Sequence, residues 1–205
     1  ALAPSPAPKR LVVDVSAEIS LLTRLAAVPQ IVMRQHGNRS DTAHIAAYES
    51  AELLLAPFPQ WMEDDITPGW VRAKTVYLDG FCRSAAAPRS RSANRSNLGL
   101  TPERRTVVCL FGKGGDGIPL ARISEAARQT PDTLWLALGP SEPNTVSTLP
   151  ANLRLVGWVD QPEPYLRAAD VVVTAAGHNS VMECGSLGCS MIAIAAPRPF
   201  DEQRR

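Results

Sequence analysis

The 205-residue chain has no run of about 18 apolar residues, so it encodes no helix long and apolar enough to span a bilayer. It also lacks an excess of either charge. Twenty-one Lys and Arg stand against 20 Asp and Glu, for a net +1, and no face is basic enough to indicate a dedicated nucleic-acid binder. The chain does not begin with Met, and its start, ALAPSPAPKR, has no apolar core of signal-peptide length. The expectation is an internal cut, and an ending at FDEQRR just after a loop points to a fragment. Cys82, Cys109, Cys184 and Cys189 lack metal-ligand spacing, which leaves reduced thiols in a cytoplasmic protein as the plain reading. There is no internal repeat. The acidic stretch 62–65 reads as a surface turn rather than a metal site, since no D-x-D element accompanies it.

What is present is an alternation of short apolar runs and amphipathic stretches. Residues 10–15 read as a strand and 16–27 as a helix opening at Ser16. Residues 30–34 form a second strand, 41–51 a helix capped by Asp41, and 52–58 a third strand. From about Ser84 to Pro102 the texture changes to Ser, Ala, Arg and Pro without periodicity, as in a solvated linker. Peripheral contact of its arginines with a membrane surface stays open. A second series follows: strand 106–111, helix 118–129 with Pro119 in its first turn, strands 133–138 and 152–159, helix 162–169 and strand 170–176. A helix-like stretch and a last strand at 191–195 complete it. Strands alternating with helices imply parallel sheets covered on both faces. The expected fold class is α/β, with two doubly wound Rossmann-like units. Residues 1–82 would be the C-terminal part of one domain, 83–103 the linker, and 104–205 most of a second domain.

Two turns in the second series carry chemistry. Gly112, Gly114 and Gly117 fit G-x-G-x-x-G between a strand and a helix, where backbone amides and the helix dipole favour phosphate. A dinucleotide site also needs an acidic residue closing the next strand to hold the ribose. Here TLWLALGP ends without one, so an NAD-dependent oxidoreductase stands only as a rival reading. The second turn, Gly177-His178-Asn179-Ser180 with Glu183, follows the run Val171-Val172-Val173. Gly157-Trp158-Val159-Asp160-Gln161 ends the strand before that. In a parallel sheet these turns share the carboxyl edge, where ligands bind. Trp158 would cover a base, the amides near Gly177 would face phosphates, and Glu183 would accept from a ribose diol. Ser180 and Glu183 also match S-x-x-E, so a purely structural capping box is the alternative.

The stretch from Gly157 to Gln203 resembles the donor-binding half of two-Rossmann (GT-B) glycosyltransferases. It is most similar to the family 28 type, which includes the peptidoglycan lipid-linked glucosaminyl transferase, and it is also similar to UDP-glucuronosyl and plant UDP-sugar transferases. The resemblance implies that Trp158 and Gln161 belong to the W-x-P-Q element, with Trp158 or Val159 beside the base, and that Gly177, Asn179 and Ser180 lie at the diphosphate. Glu183 would bind ribose, and Glu202 and Gln203 the sugar hydroxyls. Gly112, Gly114 and Gly115 would belong to the first phosphate loop. Ala175 stands where plant enzymes have a phosphate-binding histidine, which moves that contact to His178 or to backbone alone. Arg34 and His36, after a strand of the first unit, are the acceptor-side candidates.

The expected activity is transfer of a sugar from a nucleoside-diphosphate sugar, UDP being the expected carrier, to an acceptor hydroxyl of a lipid, glycan or small molecule. Inversion, no cofactor and no metal are expected. A non-catalytic nucleotide-binding subunit of a split glycosyltransferase is the rival outside catalysis. In the resembled families the general base lies early in the N-terminal domain, so none is assigned here.

Overall fold

A computed structural model describes residues 9–82, 90–112, 117–140 and 148–204. Two compact units emerge, Ala1–Phe81 with Pro197–Arg205, and Cys82–Ala196.

The first unit holds four parallel strands in the order β1 (Leu11–Asp14), β2 (Gln30–Met33), β3 (Leu53–Ala56), β4 (Thr75–Tyr77). Helices α1 (Ala17–Leu25), α2 (Thr42–Ser50) and α3 (Gly69–Lys74) connect them. The Ser16 hydroxyl caps α1 by accepting from the Ile19 amide, and Asp41 caps α2 by accepting from Ala43 and His44. Val13, Val32, Tyr48, Leu54 and Val71 form the buried centre. Sequence reading missed α3 and β4. A six-residue helix leading straight into a three-residue edge strand is too short for either period to register. Among the described residues β1 pairs only with β2, and Val12 of β1 is exposed, as are Leu22 and Leu25 of α1.

The second unit contains α4 (Arg91–Asn97), β5 (Thr106–Leu110), α5 (Leu120–Gln129), β6 (Leu134–Leu138), β7 (Leu153–Gly157), α6 (Glu163–Ala168), β8 (Val171–Ala175), α7 (His178–Ser186) and β9 (Met191–Ile194). All five strands are parallel, in the order β7-β6-β5-β8-β9. Counted within the unit this is 3-2-1-4-5, the Rossmann order, with its reversal between β5 and β8. Around the central strands both faces are buried. Val107 and Cys109 pack with Ile118, Ile123 and Ala127 on one side, and Val108 with Leu136, Leu166 and Val172 on the other.

The stretch read as a solvated linker is a correction. Ser90 caps α4 by accepting from the Ala93 amide, and Arg95 is buried. Its guanidinium donates to the carbonyls of Ala168 (2.9 Å) and Pro102 and to Asp170 (2.6 Å), while Arg91 also pairs with Asp170. Asp170 accepts the Thr106 amide at 2.7 Å as well. Burial opposes the charge on Asp170, but this amide and the two arginines outweigh it and hold the carboxyl below its ordinary range. The arginines therefore dock α4 onto the start of β5 and β8. The second boundary also differs from the expected 104–205 domain, because residues from Pro197 onward belong to the first unit.

Candidate functional site

The strand order reverses between β5 and β8, and the carboxyl ends at such a reversal are the position where open α/β sheets bind ligands. The Thr174 hydroxyl ties the two strand ends together by donating to the Leu110 carbonyl at 2.8 Å. Beyond β5 come Phe111 and Gly112. Among the described residues, a Cβ at Gly112 would meet nothing within 4 Å. Gly114 and Gly115 lie outside the described residues. Gly117 ends the turn at φ +78, and its Cβ would sit 2.8 Å from the Pro140 carbonyl oxygen. That glycine is needed for packing as well as for conformation.

Beyond β8 the chain turns directly into α7. Gly177 is the N-cap, with its amide donating to the Ala175 carbonyl at 2.7 Å and its carbonyl accepting from Val181 at 3.1 Å. His178, Asn179 and Ser180 therefore form the first helical turn, whose amides have no intrahelical acceptor in any α-helix and point toward the positive dipole end. The capping-box alternative is overturned. Ser180 is the third helical residue, not the cap, and Glu183 is the sixth. The helix starts three residues earlier than the S-x-x-E template would place it.

The third element lies after β7. Gly157 takes φ +80 at a register shift against Leu138, and this turns Trp158 outward. The indole is 52% exposed and donates to Asp160 Oδ1 at 2.9 Å, whereas Val159 packs against the core and Gln161 is exposed. Of the two candidates beside the base, Trp158 is the exposed one and Val159 is not. Between β7 and β8 stand β6 and β5, three strand spacings or about 14 Å in all.

Gly139, which sequence reading passed over, joins these ends. Its amide donates to the Gly157 carbonyl at 2.8 Å, and Phe111 donates to Leu138 at 3.0 Å. At φ +121 a Cβ on Gly139 would lie 1.9 Å from the Phe111 carbonyl oxygen.

The other candidates belong to the first unit. The Glu202 carboxylate accepts from Arg39 Nη2 at 2.9 Å, and Gln203 follows it in the same final turn. Arg34 is buried and pairs with Glu63 through two hydrogen bonds, with a third from Nη1 to Thr75. His36 stacks on Phe58 with ring centroids 3.7 Å apart. Arg34, Gln35, Asn38, Arg39 and Tyr48 line a small polar cleft after β2. The acidic turn reading for residues 62–65 fails at Glu63, whose side chain is only 7% exposed. Its partner lies 29 residues away, so no local signal marked it. Among the described residues no cluster of three His, Cys, Asp or Glu side chains is placed to hold a metal ion.

Residues 123–205 match the glycosyltransferase family 28 C-terminal domain. An uncharacterized glycosyltransferase of Methanosarcina acetivorans is 34% identical over 84 residues, 40% of this chain and 22% of that protein. One from Methanosarcina mazei is 32% identical over 104 residues, 49% and 28% of the two chains. Among solved structures, the spinosyn rhamnosyltransferase SpnG complexed with thymidine diphosphate superposes with a TM-score of 0.66 at 21% identity, covering 95% of this chain and 55% of that one. MurG of Acinetobacter baumannii gives 0.56 at 16% identity, covering 90% and 51%. The chain thus spans less than a third of the curated relatives' length and about half that of these structures. Its two parallel α/β units have the GT-B glycosyltransferase fold, and residues 123–205 carry the family 28 C-terminal domain signature.

Proposed function

We propose that this chain is the nucleotide-sugar-binding portion of a glycosyltransferase that moves a sugar from a nucleoside diphosphate to an acceptor hydroxyl. The observation that carries this reading is the start of α7 at Gly177, beside the β5/β8 reversal and inside the segment that matches the family 28 domain. Amides of His178, Asn179 and Ser180 would face the diphosphate, Trp158 the base and Glu183 the ribose. Glu202 and Gln203 would serve the sugar hydroxyls. As the acceptor oxygen attacks the anomeric carbon from the opposite face, the sugar gains oxocarbenium character and its configuration inverts. The departing diphosphate would be stabilised by preorganised amides and the helix dipole in place of a metal ion. The NAD reading is disfavoured because β6 ends at Leu138-Gly139-Pro140 with no acidic residue for a ribose.

Calorimetric titration of the full-length protein with UDP, TDP and NADH, each with and without a chelator, tests this. A nucleoside diphosphate should bind in chelator while NADH gives no heat. Binding of NADH with indifference to both nucleoside diphosphates overturns the reading.

A further inference from the structure

The far end of α7 brings two cysteines together. Leu187 caps the helix and Gly188 takes φ +65. The Gly188 amide donates to the Gly185 carbonyl at 3.1 Å, and the Cys189 amide reaches back to the Cys184 carbonyl at 2.9 Å. This pair of hydrogen bonds is the Schellman motif, whose two outer residues commonly pack side chain on side chain. Here both outer residues are cysteines and both are free, and the Cys189 thiol donates to the Leu166 carbonyl at 3.6 Å. With an amide-to-carbonyl distance of 2.9 Å, standard bond lengths keep their α-carbons within about 7 Å, the reach of a disulfide.

We propose that Cys184 and Cys189 form a redox modification site, a dithiol that a peroxide closes into a disulfide across the C-terminus of α7. The two cysteines divide the chemistry by exposure. Cys184 is fully buried, while Cys189 is partly exposed and is the sulfur an oxidant meets first. The neighbouring Cys184 thiol, aided by nearby Arg167, holds the Cys189 thiol down at about 7 against the opposing effect of burial. Cys184 is pushed upward by its neighbour Cys189 and by burial, so it keeps its proton until it reacts.

In the first step the Cys189 thiolate attacks a peroxide oxygen. The S–O bond forms, the O–O bond breaks, and the leaving hydroxide takes a proton as water. Cys189 is then a sulfenic acid. In the second step Cys184 loses its proton and attacks the Cys189 sulfur. The S–S bond forms, the S–O bond breaks, and hydroxide leaves with that proton as a second water. Two thiols lose two electrons, and one hydrogen peroxide becomes two waters. Cys109 has no such route. It is fully buried in β5, and burial pushes its thiol up to about 12.

The test treats the full-length protein with hydrogen peroxide, alkylates the remaining thiols, and digests with trypsin for mass spectrometry. Arg198 precedes Pro199, so the peptide 168–204 carries Cys184 and Cys189 and no other cysteine. It should appear unalkylated and two hydrogens lighter, and dithiothreitol should restore both alkylation sites. Cys184→Ser should halt at a sulfenic acid on Cys189 that dimedone traps, and Cys189→Ser should leave Cys184 fully alkylated. Should either variant fail to fold, the wild-type peptide decides alone. The proposal is overturned if both thiols stay alkylatable while Cys82 is oxidised. It is equally overturned if Cys189 proceeds to sulfinic acid beside a free Cys184.

Discussion

Arg34 and Glu63 form a two-pronged ion pair inside the first unit, with Nη1 to Oε2 at 2.8 Å and Nη2 to Oε1 at 3.0 Å. The Tyr77 hydroxyl donates to Oε2 at 2.6 Å and the Thr67 hydroxyl to Oε1 at 2.7 Å. Burial alone would raise the pKa of Glu63. The hydrogen bonds from Arg34, Tyr77 and Thr67 outweigh it and lower the pKa from 4.5 to about 2. A carboxylate whose pKa is depressed on folding stabilises the fold above its unfolded value and loses that contribution as pH falls through the folded one. The loss should therefore fall between pH 4.5 and about 2. Glu63→Gln leaves the Arg34 charge buried and should cost about 3 to 5 kcal/mol at neutral pH. Denaturant midpoints of wild type and variant should converge as pH drops through that window. A gap that stays constant down to the acid end would show that the carboxylate charge is not what holds the pair.

Gly139→Ala should be among the most damaging single changes in the second unit. The new Cβ would fall 1.9 Å from the Phe111 carbonyl oxygen, which is backbone and cannot rotate away, and the φ of +121 disfavours any side chain. The ends of β5 and β6 must part. Backbone strain of this kind costs about 1 to 3 kcal/mol even without the collision. A urea midpoint equal to wild type would show that the strand ends are not locked as described.

Residues 197–204 are held on the first unit by a small set of contacts around Phe200. The Asn38 amide donates to the Phe200 carbonyl at 2.7 Å, and the Arg39 guanidinium lies 4.5 Å from the ring centroid while pairing with Glu202. Phe200 and Asp201 take φ values of 62 and 53, conformations that persist only when their surroundings impose them. Gly37 lets the segment approach, since its Cβ would meet the Phe200 carbonyl oxygen at 2.5 Å. Gly37→Ala should release the segment. Hydrogen exchange at residues 198–204 should accelerate while amides of β2 and β3 stay protected. Unchanged exchange at 198–204 would mean the segment is held by other contacts.

The strands of the second sheet were legible because a strand buried on both faces reads as an unbroken apolar run, as Val107-Val108 and Val171-Val172-Val173 do. The turns at Gly112 and Gly177 were legible from glycine between strand and helix, and the sheet order places both at the reversal. Arg95 with Asp170 and Arg34 with Glu63 were not. Their partners stand 75 and 29 residues apart, and an arginine in a Ser-rich stretch looks the same whether solvated or buried. Ser180 and Glu183 allowed two readings for a different reason. The S-x-x-E spacing fits a cap, but the bend after β8 starts the helix at once, leaving Gly177 as the cap.

That correction sharpens the role of Glu183. As the sixth residue of α7 it is past the turn whose amides a cap must satisfy, so its carboxylate serves no capping box. Glu and Gln have nearly equal helix propensity, so Glu183→Gln keeps the helix, and the melting temperature of the full-length variant is measured alongside its binding. A ribose diol is different. It is held best by a carboxylate that accepts two hydrogen bonds, and the amide offers one weaker oxygen and an NH2 group that cannot accept. Losing a hydrogen bond to a charged group costs about 1.5 to 3 kcal/mol, or roughly 10- to 150-fold in affinity for the nucleoside diphosphate. Calorimetric titration of the variant measures this directly. Weakened binding at an unchanged melting temperature places Glu183 on the ligand. Wild-type affinity removes it from the site and leaves the α7 amides to hold the phosphates alone.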